Sequence, residues 1–340
     1  MSQTILVTGG AGYIGSHTSI RLLERGFDVV MIDDLSNSSE AAVDQVRKLT
    51  NRPVAFEQVD LTDQESLANV FERHPVEGVI HFAGLKAVGE SVAQPLRYYR
   101  TNIVSTLNLM DEMESRGIWQ LVFSSSATVY GDPEILPIPE SAPTGPTNPY
   151  GRTKLMIEDI LRDAADANPK WRISLLRYFN PVGAHPSGDL GEDPKGIPNN
   201  LVPFAMQVAV GRRDKLNIFG ADWDTADGTG VRDYIHVLDL ADGHLAALDH
   251  LSNGCNTFNL GTGTGASVLD VVHTTEKVSG ATIAYEIVDR RPGDIATSLA
   301  DPTKANRELE WRADRSLDTM LADSWKWQSK HPMGLEPKEN

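Results

Sequence analysis

Tyr150-Gly-Arg-Thr-Lys154 sets a phenol and an ammonium four residues apart. Pro149 suits the first turn of a helix, and positions four apart on a helix share a face. A cation beside a phenol favours the phenolate, lowers the tyrosine pKa and makes it a usable base. Upstream, the polar run Ser124-Ser125-Ser126 ends an apolar stretch, where a hydroxyl can orient the phenol or a substrate oxygen. Ser, Tyr and Lys beside a nicotinamide make a hydride-transfer site.

The nicotinamide has its own signature. Thr8 to Gly15 reads Thr-Gly-Gly-Ala-Gly-Tyr-Ile-Gly, after the apolar Ile5-Leu6-Val7 and before a helical pattern carrying Ile14, Ile20, Leu22 and Leu23. Strand, glycine turn and helix together are the context in which such a loop binds a dinucleotide. Gly9, Gly12 and Gly15 let the backbone turn sharply and approach a pyrophosphate, which meets N–H groups at the positive end of the helix. A second strand, Phe27 to Ile32, ends in Asp33-Asp34, close to the spacing of the carboxylate that bonds the adenosine ribose. No Arg follows nearby to receive a 2′-phosphate, and a second acid repels one. The cofactor expected is NAD rather than NADP.

The elements that must hold these groups alternate. Strands are readable at Val54–Val59, Val76–Phe82, Leu121–Ser124 and Ile173–Leu176, with helical stretches near Asp63–Arg73, Pro95–Arg116 and Pro149–Asn168. Such alternation implies an α/β fold, a doubly wound parallel sheet of Rossmann type with helices on both faces. Ligands of these sheets bind beyond the carboxyl ends of the strands, which selects Gly9–Gly15, Asp33–Ser38, Asp60-Leu61, Phe82–Lys86, Ser124–Ser126 and Tyr178–Asn180. The texture changes after Asn180: Pro181 to Pro203 reads as a long ordered loop, and the clearest later helix is Val237–Leu251. We expect an NAD-binding domain over 1–180 and a smaller α/β substrate-binding domain over 181–340. Gly334 to Asn340 reads as a loose tail. Gly261-x-Gly263-x-Gly265 is read as a turn before a helix capped by Ser267.

The chain has 340 residues and a formal net charge of −16, with Lys and Arg scattered. No basic patch stands out to meet a phosphate backbone, so nucleic acid is not an expected partner. The single cysteine, Cys255, excludes an internal disulfide, suits a reducing cytoplasm and is read as a structural thiol. No apolar run approaches membrane-spanning length, and with a first strand near Met1 no signal peptide is expected. The nine His show no metal-ligand spacing, so no metal is expected, and His81 and His236 are read as interior residues. Trp311, Trp325 and Trp327 are read as core packing.

Six blocks, Thr8–His17, His81–Ser91, Ser124–Gly131, Leu176–Pro186, Gly191–Leu201 and Gly228–Asp239, resemble the extended short-chain dehydrogenase/reductase family and, within it, the UDP-hexose 4-epimerases. The likeness runs nearly the full length. It implies a cytoplasmic homodimer of galactose metabolism that inverts C4 of UDP-galactose and UDP-glucose through a 4-keto sugar, with NAD bound and regenerated. Carried over by position, Tyr150 becomes general base and acid, Lys154 tunes it and holds the nicotinamide ribose, and Ser126 bonds the sugar. The NAD contacts implied are Gly9, Gly12, Tyr13, Ile14 and Gly15, then Asp33, Asp34, Leu35, Ser36, Asn37 and Ser38. Asp60, Leu61, Phe82, Ala83, Gly84, Leu85, Lys86, Thr101 and Phe179 complete them, Thr101 standing where the family often has Asn. The UDP-sugar contacts implied are Tyr178, Asn180, Asn200, Leu201, Asn217, Ile218, Phe219, Arg232, Arg291, Asp294 and Ser298. At Ser298, members that favour unsubstituted hexoses carry a tyrosine, so the serine is expected to admit an N-acetyl group on the sugar. A 4,6-dehydratase on the same fold would carry Asp-Glu where this chain has Ala127-Thr128, and a non-catalytic NAD-binding regulator would lose Tyr or Lys. Neither alternative is favoured.

Overall fold

The computed structural model describes residues 2–291 and 293–335. Strands β1 (Thr4–Thr8), β2 (Asp28–Asp33), β3 (Ala55–Gln58), β4 (Gly78–His81), β5 (Gln120–Ser126) and β6 (Arg172–Tyr178) alternate with helices α1 (Tyr13–Glu24), α2 (Glu40–Thr50), α3 (Gln64–Arg73), α4 (Val88–Ala93), α5 (Pro95–Ser115) and α6 (Pro149–Ala167). The apolar strands expected from sequence all pair in parallel. Their side chains alternate between two cores. Ile5, Val7, Met31 and Ile80 pack on one face, and Leu6, Val30, Ile32 and Val79 on the other. Burial on both faces is why these strands read as unbroken apolar runs.

Later elements are β7 (Asn180–Val182), α7 (Leu201–Ala209), β8 (Leu216–Phe219), β9 (Val231–His236), α8 (Val237–Asp249), β10 (Gly254–Leu260), β11 (Gly265–Ser267), α9 (Val268–Ser279), β12 (Tyr285–Val288), β13 (Thr297–Ser298), α10 (Thr303–Glu308) and α11 (Leu317–Lys330). The main sheet has seven strands in the order β10-β6-β5-β4-β1-β2-β3. The chain starts in the middle, runs out to β3 and resumes at β4 on the other side of β1. A crevice opens where the winding reverses, beyond the carboxyl ends of β1 and β4.

The division expected at residue 180 differs from the architecture in one respect. Residues 237–260 return to the first layer: α8 packs on α1, and β10 pairs with β6 from Gly254↔Arg172 to Leu260↔Tyr178. The physical reason is the edge of β6, whose backbone groups would lack partners on that side without another strand. The second lobe is therefore discontinuous. Its sheet is β11-β9-β13 with β7 also on β9, beside the pair β12-β8 and helices α7, α9 and α11. The turn before α9 ends in the expected cap, a reciprocal Ser267–Asp270 capping box. Of the expected loose tail, Gly334 and Leu335 are held, the Leu335 N–H donating to Asp193 Oδ2 at 2.8 Å. Residues 336–340 lie outside the described residues.

Candidate active site

The glycine loop is fixed by its own backbone. Gly9 takes φ +65°, and a Cβ there would stand 2.8 Å from the Ala83 nitrogen. A Cβ on Gly15 would stand 2.3 Å from the Gly9 carbonyl oxygen, so only glycine lets α1 start this close to the turn. Gly12 is the N-cap of α1 and offers no side chain to its first N–H groups. A tight cradle ending in an uncapped helix start fits a pyrophosphate, and NAD is the group these residues suit.

Asp33 closes the loop from the tip of β2. Its Oδ2 accepts the Ala11 N–H at 3.1 Å, and its Oδ1 accepts the Leu35 N–H at 3.0 Å and the Ser38 hydroxyl at 2.6 Å. Burial pushes this carboxyl above its usual range, against those donors. Ser36 binds the neighbouring Asp34 through its N–H at 2.9 Å and its hydroxyl at 2.7 Å. Below the loop, the Ala83 N–H donates to Thr8 Oγ1 at 3.2 Å, which leaves the Thr8 proton for His81 Nδ1 at 2.7 Å. Thr106 donates its hydroxyl to the Asn102 carbonyl and so accepts from His81 Nε2 at 3.0 Å. This chain holds His81 as the neutral Nε2–H tautomer, and burial pulls its pKa down to about 3.

Across the cleft, Asn148 caps α6 by accepting the Gly151 N–H at 2.9 Å, with Pro149 in the first turn. Tyr150 and Lys154 then sit one turn apart, both buried. Ser126 ends β5 and accepts the Thr128 N–H at 3.2 Å and the Thr128 hydroxyl at 3.0 Å. Burial raises the Tyr150 phenol, and its hydrogen bond with Ser126 opposes that rise. Lys154 Nζ donates to the Ser124 carbonyl at 2.6 Å and lies 4.8 Å from the centre of the Phe123 ring. Burial draws its ammonium down to about 8, while Glu158 pulls it back up. The expected lowering of the Tyr150 pKa is corrected here: desolvation is the largest influence on the phenol, which stands above its usual range. Tyr178 hydrogen-bonds the Ser124 hydroxyl and is raised by burial.

One cleft of about 760 Å³ joins these groups. Its walls hold Gly9, Gly12, Tyr13, Ile14, Gly15, Asp33, Asp34, Ser36, Asn37, Ser38, Asp60, Leu61, Phe82, Ala83, Gly84, Leu85, Lys86 and Thr101. They also hold Ser126, Tyr150, Lys154, Tyr178, Phe179, Asn180 and Asn200. Leu35 stands just outside, its carbonyl accepting Lys195 Nζ at 2.6 Å.

The rest of the expected sugar-nucleotide contacts do not line it. Leu201 packs half-buried at the start of α7. Ile218 is 1 % exposed in the core of the second lobe, because strand alternation turns it inward with Leu216 while Asn217 faces out. Phe219, Arg232, Arg291, Asp294 and Ser298 belong to a separate cluster on the second lobe. The Arg291 guanidinium stacks 4.4 Å from the Phe219 ring centre, and its Nε donates to Asp294 Oδ2 at 3.0 Å. Arg232 donates to the Val231 carbonyl at 2.8 Å, and burial lowers its pKa. Ser298 pairs with Arg232 in the register of β13 on β9.

Several residues in and beside the cleft went unread in the sequence. Asn102, 2 % exposed, accepts the Leu85 N–H at 2.8 Å and donates to Thr153 at 3.0 Å, tying the loop after β4 to α6. Its signal was a polar residue in the buried stripe of α5 with Tyr98, Thr106 and Leu109. Thr128 lines the cleft itself, as do Glu192 and Lys195 from the long loop. Lys86 meets Glu192 at 3.6 Å, and Asn200 donates to the same carboxylate at 2.9 Å. Nothing in local spacing announces contacts across so much chain. Cys255 is held as a thiol by burial, which pushes its pKa up to about 12, consistent with a structural role.

Known proteins share this arrangement. A UDP-glucose 4-epimerase of Bacillus subtilis (strain 168) is 58% identical over 339 residues, 99% of this chain and 100% of its own. One of Erwinia amylovora is 57% identical over 98% of this chain and 99% of its own. The crystal structure of UDP-glucose 4-epimerase from Bifidobacterium longum in complex with NAD+ and UDP superposes with a TM-score of 0.95 at 54% identity, covering 98% of this chain and 100% of that one. Residues 5–261 match the pattern described as the NAD dependent epimerase/dehydratase family. With a glycine cradle, a serine, a tyrosine and a lysine facing one cleft in a Rossmann-type sheet, and with that match over most of its length, the chain belongs to the NAD dependent epimerase/dehydratase family.

Proposed function

We propose that this chain is a UDP-glucose 4-epimerase, interconverting UDP-galactose and UDP-glucose at C4 with tightly held NAD. The observation that carries the reading is the single cleft with the glycine cradle at one end and Ser126, Tyr150 and Lys154 at the other. When bound, NAD supplies a hydride acceptor that becomes the donor within the same turnover. Tyr150 takes the proton of the sugar 4-hydroxyl and gives it back to the 4-keto oxygen once the sugar has presented its other face. Burial raises the phenol, so its deprotonation depends on a nearby cation, and Lys154 at about 8 is charged at neutral pH. Ser126, steadied by Thr128, hydrogen-bonds the phenol and orients the sugar oxygen.

Elimination chemistry lacks its acid: Ala127 and Thr128 occupy the turn after β5, and Thr128 is spent on Ser126. The remaining nucleotide contacts are assigned to Tyr178, Asn180 and Asn200 in the cleft and to Phe219, Arg232 and Arg291 on the second lobe. Guanidiniums suit a diphosphate because they bond it in pairs. Closure of the second lobe around the UDP moiety would join the two groups. Ser298 supports acceptance of UDP-N-acetylglucosamine beside UDP-glucose. A homodimer is supported by exposed Val92 and Leu96 on adjoining α4 and α5 and Met156 on α6, an apolar surface suited to a second copy. No helix among the described residues is long and apolar enough to cross a membrane, and with one cysteine a cytoplasmic setting fits.

The test is cofactor release. Denaturing the purified protein should free NAD near one per chain. Protein that emerges without NAD and needs added NADP would refute the reading.

A further inference from the structure

Beneath the Tyr150–Lys154 turn lies a buried knot that the reaction so far leaves unused. Glu158, the next residue on the same face of α6, is 0 % exposed. Its Oε1 accepts Arg177 Nε at 2.9 Å and the Ser125 hydroxyl, and its Oε2 accepts Arg177 Nη2 at 2.5 Å and Arg162 Nη2 at 2.7 Å. Arg177 itself lies 4.8 Å from the centre of the Tyr130 ring, and the Tyr130 hydroxyl donates to Asn259 at 2.7 Å. The knot thus binds α6 to β5, β6, the turn after β5, and β10.

Burying an ion pair costs about as much as it returns, so a knot this complete is weak evidence for stability. Its placement points elsewhere. Ser125 sits between Ser124, whose carbonyl takes Lys154, and Ser126, which bonds Tyr150. Phe123 and Ser125, two apart on β5, share the face that meets α6, so the Lys154 ammonium over the Phe123 ring and the Glu158 carboxylate on Ser125 lie on one side of the strand. Residues four apart on a helix have Cβ atoms about 5–6 Å apart, so the Glu158 carboxylate is the near anion of Lys154.

We propose that Glu158 is a positioning residue for Lys154: its carboxylate, held by Ser125 and Arg177, fixes α6 against β5 and supplies the negative charge that faces the Lys154 ammonium. The inference rests on the role given to Lys154 above. The other ionisable groups around this stretch of α6 are Tyr150 on α6, His81 on β4, Tyr178 and Arg177 on β6, Tyr130 in the turn after β5, Cys255 on β10, Arg162 farther along α6, and Glu90 and Tyr98 on α4 and α5. Of these, Tyr150 is the reacting phenol, and His81, Tyr178 and Cys255 are neutral at pH 7, His81 through burial that holds it at about 3. Glu158 is the anion that pulls the Lys154 ammonium up against its burial.

The experiment follows Lys154 directly, by NMR titration of 13Cε-lysine-labelled holoenzyme, with the pH profile of kcat beside it. Glu158→Gln keeps the shape and removes the charge. The Lys154 midpoint, near 8 in the wild type, should fall by about one pH unit, and the alkaline limb of kcat should move with it while KM holds. Arg162→Met removes a partly exposed cation from Glu158 and should move both in the opposite direction. If Glu158→Gln lowers turnover equally at every pH with the lysine midpoint unmoved, the knot is only structural and the proposal falls. If Glu158→Gln does not fold, Arg162→Met decides alone, and an unmoved or lowered midpoint overturns the proposal. Lys154→Met separates the two levels: normal turnover there would remove the role of Lys154 itself, whatever Glu158 does.

Discussion

Acid should unfold this protein through its enclosed imidazoles. His17 and His244 are 0 % exposed and His81 1 %. Burial holds His17 and His81 at about 3 and His244 at about 4. In the unfolded chain each takes a proton near pH 6.5. Between about pH 4 and 6.5 the unfolded state therefore binds more protons than the folded one, and stability is lost as pH falls. At pH 5 each unfolded histidine gains about 2 kcal/mol from protonation, so three remove about 6 kcal/mol relative to pH 8. Net stabilities are on the order of 5–15 kcal/mol, so the loss is a large share. Asp33, Asp233 and Glu140, raised first by burial, act with the opposite sign, because their folded forms take protons before the unfolded chain does. Burial would also raise Glu158, but its bonds from Arg177, Ser125 and Arg162 hold it low, so it adds to the acid loss only below about pH 4.5. Urea titrations at pH 7.5 and 5.0, read by tryptophan fluorescence, measure the difference. His81→Gln, which keeps an acceptor for Thr8 and a donor for Thr106, should shrink that difference by about 2 kcal/mol. A wild type that loses less than about 2 kcal/mol, or a variant that loses as much as the wild type, would refute the assignment.

Three further outcomes are expected. Tyr150→Phe should retain NAD and UDP-sugar binding while kcat falls about a hundredfold to ten-thousandfold, measured by steady-state kinetics; near-normal turnover would strip Tyr150 of its role. Gly15→Ala drives a methyl against the Gly9 carbonyl at 2.3 Å, so the purified variant should carry less NAD and melt several degrees lower; full NAD content would contradict the cradle. Ser298→Tyr should remove UDP-N-acetylglucosamine turnover and spare UDP-glucose turnover, and a wild type inert on the N-acetyl sugar would end that proposal.

The main sheet was legible because parallel strands buried on both faces write themselves as continuous apolar runs. The glycine loop was legible because backbone clearance at Gly9 and Gly15 admits one residue type. What escaped depended on distant chain. β10 joins β6 across more than seventy residues, and nothing local to Gly254–Leu260 says which sheet it will complete. Asn102 and Glu192 gain their meaning from partners at Thr153 and Lys86. The direction of the Tyr150 shift was misread for a related reason: spacing places a cation on the right face, but the burial that raises the phenol belongs to the folded site. Ile218 shows the converse, a position carried over by likeness whose side chain the strand's alternation turns into the core.

The most direct measurement of the central claim is to incubate the purified protein with UDP-galactose, without added cofactor, and follow the sugar nucleotides to equilibrium. The account predicts UDP-glucose formed through catalytic turnover with no accumulation of reduced cofactor, because the hydride returns to the sugar in every cycle. UDP-galactose left unchanged by protein that carries its NAD, or converted only to a dehydrated 4-keto sugar, would contradict it.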